Sequence, residues 1–173
     1  EKNIDIKEVQ IEENCLKVLA LHQPVAADLR FIVAVLKVNN DLERMGDFAV
    51  NVAKRSVSLI KQKPIPCPPG FSDIMPETIR TMVHNSLKAL VHLDVDMARE
   101  VIEMDSAVDE VNRQMYVDLK ALMQKDPTTV ERAVELLSCS RYLERIADLS
   151  TNIAEDVVFM VEGEVIRHKA ARI

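Results

Sequence analysis

The chain is poor in the residues that sheets and tight turns require. Of its 173 residues only three are glycine, aromatic residues make up 3%, and tryptophan is absent. Strands favour aromatic and β-branched residues, and their turns favour glycine, so this shortage argues against a fold rich in sheet. Eight methionines and many leucine, valine, alanine and glutamate residues are typical of long packed helices instead. The composition therefore predicts an all-α protein.

The sequence also lacks a long apolar run and an excess of positive charge. Its longest apolar candidate, residues 29–38, is interrupted by Arg30 and Lys37, whereas a membrane span needs about 20 apolar residues. Acidic residues outnumber basic ones by 28 to 22, for a net charge of −6. Nucleic-acid binding requires clustered lysine and arginine, so we expect a water-soluble protein without a nucleic-acid partner. Because the chain begins at Glu1 and not at a methionine, we also expect further residues upstream.

Paired cysteines are absent as well. Cys15, Cys67 and Cys139 are far apart and form no CxxC motif. An odd number of cysteines without metal-type spacing indicates reduced thiols in a cytoplasmic protein. Cys15 and Cys139 fall in apolar helical stretches and are predicted to be buried, whereas Cys67 is predicted to be exposed in a proline-rich loop.

Proline is concentrated in one segment that divides the chain. Five of the seven prolines lie between Lys61 and Pro76, where they prevent a regular helix. Apolar residues at helical spacing predict helices over residues 1–22, 25–60, 77–95, 96–124 and 127–161, with Asp96 capping the fourth. The predicted parts are a first bundle with two of three helices over residues 1–62, a linker over 63–76, a three-helix bundle over 77–165 and a tail over 166–173.

The two halves share an internal repeat. Residues 42–52 read LERMGDFAVNV and residues 143–153 read LERIADLSTNI. Both strings lie in the last and longest predicted helix of their half, and residues 1–5 correspond to residues 105–109 in the same way. Under this alignment the helix over 77–95 has no counterpart in the first half. The repeat therefore predicts a further helix before Glu1.

The repeat also places oxygen-bearing side chains in lines, because residues four apart on a helix share one face. The lines are Glu43, Asp47 and Asn51; Glu144, Asp148 and Asn152; Glu1 and Asp5; and Asp105 and Asp109. If the paired helices pack antiparallel, each half gathers four carboxylates and an amide, for which a hard or borderline metal cation is the natural complement. The spacing therefore predicts metal binding at the carboxylates, with Asn51 and Asn152 as candidate additional ligands.

Two other interpretations stay open at this stage. Acidic pairs four residues apart are common by chance in a chain with 28 acidic residues, so the lines can be a solvated charged face that pairs with Arg44 or Arg145. The second alternative is a carboxylate-bridged di-metal enzyme with four ligands, Glu43, Asp47, Glu144 and Asp148. The Glu-x-x-His string of ferritin-like di-iron sites is absent from the sequence, which disfavours oxygen chemistry. The four histidines are interpreted as surface or cap residues.

Two long strings carry a family resemblance. Residues 21–55 read LHQPVAADLRFIVAVLKVNNDLERMGDFAVNVAKR, in which the turn at Gln23 and Pro24 precedes a long helix. Residues 140–168 read SRYLERIADLSTNIAEDVVFMVEGEVIRH, in which a Val-Glu-Gly ending at residues 161–163 precedes Arg167 and His168. With these strings the chain resembles, over essentially its whole length, the PhoU family of bacterial regulators of the phosphate-specific transport system.

The resemblance implies a fold of two tandem three-helix bundles related by pseudo-twofold symmetry. It implies a cytoplasmic, often dimeric protein without established catalytic activity, a negative regulator of phosphate uptake and of the phosphate-starvation response. The implied partners are the ATPase subunit of the phosphate ABC transporter and a sensor histidine kinase, with membrane contact only through these proteins. Some members bind iron clusters or other divalent metals through E(D)xxxD motifs, so iron, zinc, nickel or manganese is the implied cofactor. The motifs map onto four pairs, Glu1 and Asp5, Glu43 and Asp47, Asp105 and Asp109, and Glu144 and Asp148.

The sequence departs from the family pattern at two places. The family's first helix is missing, so the first bundle is expected to be incomplete or to borrow a helix from a neighbour. Asp105 stands where the pattern often has glutamate, and its shorter side chain is expected to alter metal occupancy.

Overall fold

The computed structural model describes residues 2–166. Glu1, the Arg167 and His168 end of the family motif, and most of the predicted tail lie outside the described residues. Within residues 2–166 the secondary structure is helical and contains no strand, which confirms the all-α prediction. None of the described helices combines the length and the hydropathy that crossing a membrane requires. The helices are α1 (Lys2–His22), α2 (Ala26–Ile60), α3 (Ile74–His92), α4 (Val95–Lys125) and α5 (Val130–Glu162), with a 3₁₀ turn (Pro127–Thr129) before the last.

The start of α3 and the cap of α4 differ from the prediction. Helix α3 begins at Ile74, before the predicted residue 77, because the Asp73 side chain accepts a hydrogen bond from the Ile74 amide at 2.9 Å. Pro76 therefore lies in the first turn, where backbone amides have no partner within the helix and proline costs little. Helix α4 is capped by Asp94 and not by the predicted Asp96. Asp94 Oδ1 accepts a hydrogen bond of 3.0 Å from a backbone amide of the first turn.

Two helices end at residues in the left-handed conformation. Leu93 (φ 53°) follows α3 and Gly163 (φ 72°) follows α5. In both, the backbone N–H donates to the carbonyl oxygen four residues earlier, which closes the last turn. Glycine adopts this conformation without a Cβ penalty. Gly163 thus ends a helix of 33 residues, about 50 Å long, at the position where the sequence predicts its end.

The helices of both halves share one core. Helices α3, α4 and α5 pack pairwise into a three-helix bundle, while α1 packs against α2 and α2 packs against α5. The main buried apolar cluster contains Ala34, Val38 and Met45 of α2 together with Ile146 and Ile153 of α5. Residues from before and after the proline-rich segment are therefore buried together in the same apolar cluster.

Helices α2 and α5 run antiparallel, as two ion pairs between them show. Lys37 Nζ lies 3.1 Å from Asp156 Oδ1, and Arg55 Nη1 lies 3.3 Å from Glu135 Oε2. The order of these partners is reversed between the two helices, as antiparallel packing requires. Both copies of the repeated string lie between the two pairs in sequence, so they meet in the middle of the α2–α5 contact.

Candidate metal site

Four carboxylates of the second half gather between α4 and α5. Asp105 and Asp109 lie one turn apart on α4, and Glu144 and Asp148 lie one turn apart on α5. The charges of the other three all raise the pKa of Asp105, so the four carboxyl groups are electrostatic neighbours. The structure thus brings together the four residues that the repeat assigns to this half.

Asp105 has the most perturbed carboxyl group of this cluster. Burial raises its pKa first, and the charges of Asp109 and Asp148 raise it further, from the usual 3.8 to about 6. The nearby Thr151 hydroxyl opposes this shift. Thr151 Oγ1 is nevertheless buried and makes no hydrogen bond of acceptable geometry. Burial and the acidic neighbours therefore disfavour the ionised form of Asp105, and a cation beside it would stabilise that form.

The two carboxylates on α5 are also perturbed, but an arginine moderates the effect. Burial raises the pKa of Glu144, the charge of Asp148 raises it further, and the charge of Arg145 lowers it. Burial likewise raises the pKa of Asp148, against a hydrogen bond from Arg145. Arg145 Nη1 donates this bond to Asp148 Oδ2 at 2.8 Å. The suggestion that Arg145 can pair with the motif carboxylates is thus confirmed for Asp148.

A cavity of about 310 Å³ opens beside these carboxylates, between the two halves of the chain. Helices α4 and α5 supply the carboxyl groups of Asp105, Asp148 and Glu155 to its lining. Arg44 and Phe48 also line it, and both belong to α2. The sequence did not indicate that first-half residues reach the second-half carboxylates, because only the packing of α2 on α5 brings them there.

A second carboxylate cluster lies between α1 and α2. Burial raises the pKa of Glu43, and the charges of Asp47, Asp5 and Glu8 raise it further. Glu8 was not among the predicted ligands, although its distance of three residues from Asp5 places both on one face of α1. That spacing is the signal that identifies it. The fourth predicted ligand of this half, Glu1, lies outside the described residues.

The oxygen donors of these clusters are of the type that binds a metal cation, but within the described residues their positions are not those of a metal site. Carboxylate and amide oxygens suit hard and borderline divalent metals, and the Thr151 hydroxyl beside Asp105 adds a neutral oxygen. Among residues 2–166, however, no three histidine, cysteine, aspartate or glutamate side chains are arranged so that they could hold a metal ion. Metal binding at these carboxylates therefore stays a prediction.

The remaining candidate residues lie in varied surroundings. Asn152 lines the cavity, and Asn51 is half-buried on α2. The cysteines and histidines of the described chain have the burial that the sequence predicts. Cys15 and Cys139 are buried, and Cys67, His22, His84 and His92 are exposed.

Comparison with known proteins adds independent information. The family model described as the PhoU domain matches residues 1–56 and 73–157. The chain is 38% identical over 166 residues to the "Phosphate-specific transport system accessory protein PhoU homolog" of Aquifex aeolicus, covering 96% of this chain and 75% of the relative. It is 32% identical over 168 residues to the "Phosphate-specific transport system accessory protein PhoU" of Escherichia coli, covering 97% and 69%.

Solved structures give the same result. The crystal structure of PhoU from Pseudomonas aeruginosa matches with a TM-score of 0.90 and 34% identity, over 94% of this chain and 78% of that one. The "phosphate transport system regulatory protein PhoU" of Streptococcus pneumoniae matches with a TM-score of 0.84 and 26% identity, over 95% and 77%. The chain spans only 66% of the length of a Pseudomonas putida relative. On the family model, the sequence identity and the shared fold, the chain belongs to the PhoU domain family.

Proposed function

We propose that the protein is a non-enzymatic regulator of phosphate homeostasis that works with a phosphate-specific transport system. The observation that carries this proposal is the match to the PhoU domain over residues 1–56 and 73–157. The relatives from Aquifex aeolicus and Escherichia coli are named as accessory proteins of such a system, and the Streptococcus pneumoniae protein is named as its regulatory protein. Accessory and regulatory names fit a protein that acts through binding.

The proposed mode of action is that of an adaptor in the cytoplasm. The protein would restrain the ATPase subunit of a phosphate ABC transporter and a sensor histidine kinase when phosphate is sufficient, as a homodimer. The repeat supports this role, because two similar halves give the scaffold two related faces. Such a scaffold can engage two helical surfaces, or two copies of one surface.

Deletion of the gene tests the regulatory role. We expect the deletion strain to take up phosphate in excess and to express its starvation response in phosphate-rich medium, because both restraints are removed. Uptake of radiolabelled phosphate and a starvation-promoter reporter measure the two effects, and restoring the complete gene should reverse them. A deletion strain that regulates uptake and reporter normally would contradict the proposal.

We also propose that the carboxylate clusters bind a divalent or multinuclear metal, with iron, zinc, nickel or manganese as the candidates. The support is electrostatic, because burial and neighbouring carboxylates raise the pKa of Glu43 in one half and of Asp105 in the other, and a nearby cation would stabilise their charged forms. Glu1 and Asp5 with Glu43 and Asp47 would serve one half, and Asp105 and Asp109 with Glu144 and Asp148 the other. A metal there would join α1 to α2 and α4 to α5.

Elemental analysis of gently purified protein tests the metal proposal. We expect stoichiometric metal in the wild type and its loss when four central ligands are neutralised, by Glu43→Gln, Asp47→Asn, Glu144→Gln and Asp148→Asn. A matched control neutralises four exposed carboxylates elsewhere, Glu12, Glu13, Glu100 and Glu103, and should retain the metal. Equal metal content in all three proteins would place any metal elsewhere and remove it from these residues.

A further inference from the structure

We propose that Arg145 is the resident counter-ion of the second-half carboxylates, so that a metal cation must displace its guanidinium group from Asp148 in order to bind. This inference rests on the proposed metal site. It concerns a residue that is not itself a metal ligand but that sets how strongly the ligands bind the metal. Within the described residues, Asp148 is the predicted ligand that an arginine holds at hydrogen-bond distance.

The pair between Arg145 and Asp148 is local and well formed. Arg145 Nη1 lies 2.8 Å from Asp148 Oδ2, and the two residues are three apart on α5. Residues three apart on a helix are neighbours, so the pair needs no other element to form. The Asp148 side chain is about one third exposed and that of Arg145 just under one half. A bond between oppositely charged groups in this position occupies a carboxylate oxygen that a metal would use.

The surroundings explain why a counter-ion is needed there. The lining of the cavity includes three acidic residues, Asp105, Asp148 and Glu155, and two arginines, Arg44 and Arg145. Like charges held this close repel unless cations lie among them. The two arginines therefore supply positive charge that a divalent metal would otherwise supply. A metal that enters the cluster adds two positive charges beside a guanidinium group, and the two cations then compete for Asp148.

This competition explains why the second-half carboxylates suit a metal by type and yet are not positioned to hold one. The second-half residues have the oxygen donors that a divalent metal prefers, yet no three of the described candidate side chains are arranged to hold one. The bond to a guanidinium group on the same helix sets the orientation of a carboxylate. The carboxylate is then not turned toward a metal position that several ligands share. Release of Asp148 from Arg145 frees the carboxylate to turn toward Asp105 and the neighbouring Thr151 hydroxyl.

The first half provides an internal contrast. Arg44 stands at the position of the repeat that corresponds to Arg145. Arg44 Nη1 lies 3.9 Å from Asp41 Oδ1, so this motif arginine pairs with a residue that is not a predicted ligand. The repeated string therefore does not by itself produce an arginine bonded to the ligand aspartate. The competition that we propose belongs to the second-half cluster.

A Mn²⁺ titration of the full chain tests the inference, with bound metal measured from the loss of the free-ion signal in electron paramagnetic resonance. We expect Arg145→Gln to lower the Kd on the order of tenfold, because one competing positive charge is gone. Arg80→Gln is the matched control. Arg80 pairs with Glu77 at the same spacing of three, with both side chains strongly exposed on α3, and its loss should leave the Kd unchanged.

The outcomes separate this inference from the metal proposal. Tighter binding in Arg145→Gln that disappears in the double variant with Asp148→Asn supports the competition. Wild-type binding that Arg145→Gln leaves equal or weakens overturns the competition while the metal site stands. A gain that persists in the double variant also overturns it, because the effect would then be general electrostatics. If neither wild type nor Arg145→Gln binds Mn²⁺ at millimolar concentration, both proposals fall.

Discussion

Replacing Ile153 with alanine is expected to lower the free energy of unfolding by about 2–4 kcal/mol. Ile153 is completely buried on α5 and belongs to the apolar cluster that joins the two halves. Its truncation removes apolar contacts and leaves a cavity among side chains that are fixed by their neighbours. Urea denaturation of the metal-free protein, followed by circular dichroism, measures the loss.

The same variant tests whether the two halves unfold together. Because the cluster combines residues of α2 with residues of α3, α4 and α5, we expect amide hydrogen exchange to accelerate equally in α2 and α4. Ile60→Ala is the matched control, since Ile60 on α2 is 82% exposed and its truncation should change stability by less than about 0.5 kcal/mol. Faster exchange confined to α3, α4 and α5 would show instead that the halves are separate cooperative units.

The existence and order of the helices could be predicted because each depends on residues close together in the chain. The prolines between residues 61 and 76 interrupt the helical pattern, and Gly163 ends α5 in a conformation that glycine favours. The cap of α4 could not be chosen in this way. Asp94 and Asp96 are both good caps by type, and the structure uses Asp94, which directly follows the left-handed Leu93.

The candidate site was predictable only in part. The spacing of acidic residues identified Asp105, Asp109, Glu144 and Asp148, because one helical turn separates the members of each pair. The cavity beside them was not predictable from spacing, since Arg44 reaches it through the packing of α2 against α5. Local patterns carry no information about how two distant helices cross. The repeat suggested equivalent roles for the two motif arginines, and tertiary packing gives them different partners.

Replacing Asp105 with asparagine is expected to stabilise the metal-free protein at neutral pH. Asparagine resembles the protonated carboxyl group in shape and carries no charge, so it removes the cost of burying a charge and also the repulsion from Asp109, Asp148 and Glu144. The pKa of Asp105 rises from 3.8 to about 6 in the folded protein. Because solvent in the adjoining cavity screens part of this repulsion, we expect a gain of about 1–2 kcal/mol in the free energy of unfolding.

The gain should depend on pH in a direction that the raised pKa determines. Folded Asp105 holds its proton more tightly than unfolded Asp105, so between pH 3.8 and about 6 the folded state binds more protons. Stability therefore falls as the pH rises through this window. The difference between wild type and Asp105→Asn should be largest above about pH 7 and should vanish near pH 4. The other charged groups that line the cavity are Arg44, Arg145, Asp148 and Glu155, and the variant leaves them in place.

Urea denaturation of protein treated with a chelator, at about pH 4, 6 and 8, measures this dependence. Glu103→Gln is the matched control, because Glu103 is exposed on the same helix and should change stability by less than about 0.5 kcal/mol at any of these values. A loss of stability in Asp105→Asn at pH 8 would contradict the expectation, since it would mean that the charged carboxylate is held by a favourable partner. That result would also weaken the case for a metal, because a carboxylate already satisfied in the metal-free protein gains less from a cation.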